Sequence, residues 1–167
     1  MSIILTIGLM LGMFNTPLDT DWDWVLKNVE YIFDQTGVPV SSEELEETLQ
    51  GDCEDVAFYI ARKAEGYGYE NYVLFLYNRY SKKVLGHAYA LVKKPDGHWY
   101  YYSFGDDIKE CVRRKKYKSI NELLAKGFIF YQTAELYRSD GYKIGYWERD
   151  KSLSYSIEVF MEEINLG

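Results

Sequence analysis

The sequence predicts an α+β domain in which a helix opening at residue 52 packs on an antiparallel sheet. Three observations carry that prediction. An apolar period near four runs through Val56, Ile60 and Ala64. After Gly66-Tyr67-Gly68 the pattern shortens to apolar strand-like runs. Tight-turn sequences, Pro95-Asp96-Gly97 and Ser139-Asp140-Gly141, then join neighbouring runs as hairpins. A helix followed by antiparallel strands is an α+β arrangement.

Taken in order, residues 3–14 form an apolar run with no Lys or Arg before it and no small-residue cleavage site after it. It is shorter than the ~20 residues that span a bilayer. It is therefore expected to be a core element, with membrane contact through it disfavoured. Thr20 and Asp21 are expected to cap a helix reaching about Gln35, with Trp24, Val25, Val29, Ile32 and Phe33 on one stripe. Ser41 or Ser42, followed by Glu43, Glu44 and Glu46, marks a short second helix ending near Gln50-Gly51. Asp52 then caps the third, which places Cys53 in its first turn.

Tyr72–Tyr77 reads as a buried strand and residues 78–83 as a turn. Val84–Lys93 is a strand holding His87, and His98–Phe104 follows the Pro95-Asp96-Gly97 turn. Tyr100, Tyr101 and Tyr102 must divide between the two faces of that strand. Ser119 can cap a short helix over Ile120–Ala125. Phe128–Leu136 and Lys143–Trp147 form a last hairpin, and Tyr155–Ile164 suits either strand or helix.

The 167 residues fit one domain, 1–167, with neither repeat nor low-complexity linker. A formal charge of −7 opposes nucleic acid and anionic lipid over most of the surface. The basic run Arg113-Arg114-Lys115-Lys116 reads as a solvated loop rather than a binding patch. Two cysteines, Cys53 and Cys111, are too few for a disulfide framework, and their spacing with His87 and His98 matches no compact zinc pattern. Both read as free thiols in a reducing, cytoplasmic setting, with no cofactor and no metal. Cys111 is expected to pack inward, and His98 to face solvent in its turn.

The chemistry-bearing pair is Cys53 and His87, 34 positions apart. A thiol is a weak nucleophile until it ionises, and both a helix start and a nearby imidazole favour that. Backbone N–H groups at a helix start can also hold an oxyanion. Three segments resemble a known family. Gly51-Asp52-Cys53-Glu54-Asp55-Val56-Ala57 looks like the nucleophile motif of the transglutaminase-like cysteine peptidases. Gly86-His87-Ala88-Tyr89-Ala90-Leu91-Val92 resembles that superfamily's histidine strand. Asp96-Gly97-His98-Trp99-Tyr100-Tyr101 resembles the approach to its acidic residue. Together they span residues 51–107, about a third of the chain.

The resemblance implies a papain-like or transglutaminase-like core and Cys-His-Asp chemistry on a peptide, isopeptide or related acyl bond. The substrate it implies is a peptide or protein. The third position departs from the pattern. The family's aspartate falls near Ser103, while Asp106 and Asp107 lie just past Gly105, where a bulge would re-aim them. We assign Asp106 that role at the sequence level, with Ser103 and Asp107 as its competitors. Gln50 could donate an amide to the oxyanion, but a water-exposed helix-end residue is the simpler reading. The competing class is a catalytically lapsed domain that binds a protein or peptide in a Tyr-rich groove. The chain holds 17 tyrosines, and their apolar rings with polar tips suit such a groove.

Overall fold

A computed structural model describes residues 16–33, 38–78, 85–105, 109–111, 117–120, 122–123 and 133–148. The apolar run at 3–14, the turn at 79–83, Asp106, Asp107, the basic run at 113–116, the strand start at 128–132 and the segment 155–164 all lie outside these residues. So does the side chain of Cys111. Three helices precede an antiparallel sheet: α1 (Pro17–Asn28), α2 (Ser42–Thr48) and α3 (Cys53–Gly66). The α+β expectation holds. Five strands of five to nine residues make up most of the sheet. They are β3 (Asn71–Asn78), β4 (Leu85–Lys93), β5 (Trp99–Phe104), β7 (Thr133–Tyr137) and β8 (Lys143–Glu148). The three-residue β6 (Lys109–Cys111) adds one edge, giving the order β6-β5-β4-β3-β7-β8. No helix among the described residues is long and apolar enough to cross a membrane.

The first helix departs from expectation at both ends. It begins at Pro17, which needs no N–H at that position, behind a Thr16 cap. The Thr16 N–H donates to Asp19 Oδ2 at 2.8 Å. It stops at Asn28 rather than near Gln35, because the backbone turns extended at Val29. Glu30 then donates to the Leu49 carbonyl at 2.9 Å, and Ile32 to that of Gly51 at 3.0 Å. These bonds flank a short parallel ladder between β1 (Glu30–Tyr31) and β2 (Gln50–Gly51). Leu18, Trp22, Val25 and Val29 are buried, whereas Ile32 and Phe33 of the expected stripe are 42% and 68% exposed. A long-range backbone pairing has overridden a helical pattern.

The other elements begin and end close to their signals. Ser41 accepts the Glu44 N–H at 3.1 Å to start α2. Ser119 accepts that of Glu122 at 3.1 Å, and residues 120, 122 and 123 are helical. The Gly97 N–H closes the β4–β5 turn on the Lys94 carbonyl at 2.9 Å. That turn is tied to α1 by a buried ion pair, Lys94 to Asp19 at 2.6 Å. Lys94 also lies 4.8 Å from the Tyr100 ring centroid.

Alternation sorts the strands into two cores. Val73, Ala88, Ala90, Val92, Tyr100, Tyr102 and Phe104 pack with α1 and α3. Leu74, Leu76, Tyr89, Leu91, Trp99, Ala134 and Leu136 face the opposite side, where Tyr117, Ile120 and Leu123 cover them. Tyr101 packs on that second core, so residues 100–102 do divide between faces. The helix that opens at Cys53 thus lies across β3, β4 and β5.

Candidate functional site

The start of α3 is closely built. Asp52 is its N-cap, and Oδ1 accepts the Glu54 N–H at 2.9 Å. In return the Asp52 N–H donates to Asp55 Oδ2 at 2.9 Å, completing a capping box that also engages the Asp55 N–H. Asp55 Oδ1 accepts the Val40 N–H at 2.8 Å, so one buried carboxylate joins the loop before α2 to the helix start. Gly51 lets these parts close up. A Cβ there would come within 2.7 Å of Leu45 Cδ1 and 3.0 Å of the Asp55 Cβ. Cys53 is consequently the first residue of the helix, as its neighbours predict.

His87 lies on β4 opposite Leu76 of β3. Strand alternation places it with Tyr89 and Leu91, on the face away from α3, and its ring meets the Tyr89 ring edge-on at 4.7 Å. Cys53 and His87 line the same cleft where a ladder ends. Among the described residues, pairing of β4 with β5 stops at Tyr89–Ser103, so the margin of β4 is open at Ala88 on that side. The Cys53 thiol sits at this margin and takes a hydrogen bond from the Ala88 backbone N–H. The His87 ring turns to its diagonal neighbour, with Nε2 2.8 Å from the Ser103 hydroxyl oxygen.

Ser103, one of the three competitors for the third position, therefore meets the imidazole. Asp106 and Asp107 lie outside the described residues. Among the described residues, no hydrogen bond joins the thiol to the ring. Gln50 is exposed in β2 and forms no part of the cleft wall.

Cys53 and His87 line one cleft of about 660 Å³. Phe33 and Pro39 form part of its wall, with Phe58, Phe75, Tyr77 and Tyr137 as its aromatic side. Burial pushes the thiol up to about 11. The Ala88 N–H opposes that rise, and the charges of Asp52 and Glu54 add to it. Burial likewise pulls His87 down to about 4. At neutral pH the site therefore holds a neutral thiol and a neutral imidazole, not a preformed ion pair. Among the described residues no cluster of three or more His, Cys, Asp or Glu is arranged to hold a metal ion.

The chemistry open to such a pair is attack in which the imidazole takes the thiol proton as the new bond forms, once ring and thiol come within hydrogen-bond reach. The aromatic wall was invisible as a unit in the sequence. Its members come from α3, β3 and β7, and the only hint was the abundance of Tyr and Phe. No protein-family model and no curated protein matches the chain.

Proposed function

We propose that this domain is a cysteine hydrolase or acyltransferase of the transglutaminase-like kind, with a papain-like or transglutaminase-like core. It acts on an amide or isopeptide carbonyl of a peptide or protein. One observation carries the reading: a first-turn cysteine and a strand histidine, the latter holding Ser103 on Nε2, line the same cleft. In the reaction the Cys53 proton passes to His87 while a sulfur electron pair forms the S–C bond. The carbonyl π pair moves onto oxygen. Collapse of that oxyanion breaks the C–N bond, and the amine leaves with the proton from His87. Water or a second amine then attacks the thioester, with His87 again as base, and Cys53 is released.

A second reading, a lapsed domain that binds a peptide in the aromatic cleft, is favoured by the neutral pair and by a serine where a carboxylate would hold the imidazole. Burst acylation by p-nitrophenyl acetate separates the two. Catalysis predicts a stoichiometric burst that maps to Cys53 rather than Cys111 and vanishes in Cys53→Ala. His87→Ala should slow it by ~10²-fold or more. The burst rate should rise as His87 deprotonates near pH 4 and then level off. A burst whose rate instead climbs steadily toward the thiol value of about 11, indifferent to His87→Ala, would rule out the catalytic reading.

A further inference from the structure

A tetrahedral oxyanion needs fixed donors, and the start of α3 supplies fewer than a helix end usually does. The Asp52 carboxylate already takes the N–H groups of Glu54 and Asp55, and the Val56 N–H bonds the Asp52 carbonyl at 3.3 Å. Of the first-turn amides, the N–H of Cys53 is the one that the cap does not use, and it turns to the residue's own sulfur. The Ala88 N–H is taken by the thiol itself, which leaves a side chain of the cleft as the second donor.

Tyr77 meets that need. It lines the cleft with Cys53, close enough for the charged thiol to act on its phenol. Its ring is fixed on both sides. It stacks on Phe75 with centroids 6.4 Å apart and planes 19° apart. It also lies over Gly86, its cross-strand partner, where an added Cβ would come within 3.0 Å of two ring carbons. Gly86 is the residue that leaves room for the phenol ring over β4.

The hydroxyl is also free to change partner. Its bond to Glu135 Oε2 is long, at 3.4 Å. The same oxygen accepts a shorter one from Tyr137 at 2.7 Å, and Lys143 pairs with the other carboxylate oxygen. Glu135 therefore stays satisfied and its charge balanced if the Tyr77 proton turns away. Burial and then Glu135 push the phenol up to about 12, so it keeps that proton at working pH. Tyr137, the other phenol on the wall, is held by its shorter bond to Glu135.

We propose that Tyr77 is a catalytic residue whose phenol, with the Cys53 N–H, donates to the oxyanion formed when Cys53 attacks a carbonyl. This rests on the cysteine-hydrolase reading above. It adds no bond change to that sequence: the phenol keeps its proton and stabilises the charge until the oxyanion collapses.

The test compares two reagents on Cys53 of the full chain. p-Nitrophenyl acetate acylates through an oxyanion, whereas iodoacetamide alkylates by displacing iodide and forms none. Tyr77→Phe, which keeps the ring, should slow acylation on the order of 10²-fold and leave the alkylation rate unchanged. Gly86→Ala, which crowds the ring without touching the hydroxyl, should give a smaller loss of the same kind. Unchanged acylation in Tyr77→Phe, with the wild-type burst intact, overturns the oxyanion role alone. Equal slowing of both reagents also overturns it, because the phenol would then be tuning the thiol. Absence of any Cys53-dependent release of p-nitrophenol by the wild type removes the hydrolase reading and this role together.

Discussion

Replacing Ser103 by alanine removes the hydroxyl that holds the His87 ring. Ser103 is 3% exposed, so water cannot easily take its place beside Nε2. A neutral hydrogen bond contributes about 1 kcal/mol net, and a buried nitrogen left without a partner costs about 1–3 kcal/mol. Ser103→Ala should therefore destabilise the fold by about 1–2 kcal/mol. Its effect on chemistry follows from the tautomer. Ser103 occupies the Nε2 side, so attack needs the proton there and the basic lone pair on Nδ1. A serine hydroxyl both donates and accepts, and so biases this choice only weakly. Losing it should slow acylation about 5- to 10-fold, as expected for about 1 kcal/mol.

Ser103→Asp works in the opposite sense. A carboxylate accepts only, which locks the Nε2–H tautomer, and its charge raises His87 above its present value of about 4. The acidic limb of the burst-rate profile should move up with it. The assay pairs that profile with NMR titration of the imidazole rings, and the chain has only two histidines to assign. If Ser103→Ala moves neither the His87 resonances nor the rate, the serine does not orient the ring. Loss of both in Asp106→Ala would then return that role to the aspartate.

Two further outcomes follow from the same geometry. His87 binds its proton near pH 4 in the fold but near 6.5 when unfolded, so the unfolded chain takes up protons first as pH falls. Stability should be full above about pH 6.5 and decline toward pH 4, with His87 accounting for ~3 kcal/mol of the loss. Denaturant unfolding at pH 7 and pH 4 should show a correspondingly smaller loss in His87→Gln, and equal losses would contradict the burial argument. Asp55→Ala strands the Val40 and Asp52 N–H groups, which should lower stability by about 3–5 kcal/mol. Asp55→Asn, keeping one acceptor, should recover part of this by the same measurement.

Local signals determined much of this protein by themselves. Asp52 with Asp55 three residues later is a self-contained capping box, so it set the helix start and the place of Cys53 before any packing was known. The strand pattern around Ala88–Val92 and the Pro95-Asp96-Gly97 turn likewise located β4 and β5, since alternation and turn geometry are properties of neighbouring residues. Where partners are distant in the chain, the sequence was silent or misleading. The pattern running on to Gln35 gave no sign that Glu30 and Tyr31 would pair with Gln50 and Gly51, which ends α1 early. Strand alternation aims the His87 ring at the face away from α3. Only the tertiary structure sets where the β4–β5 ladder ends, with the thiol on Ala88 and the ring on Ser103. The resting protonation of the pair is tertiary too. A helix start favours a thiolate, but burial in the assembled cleft outweighs it and leaves both groups neutral.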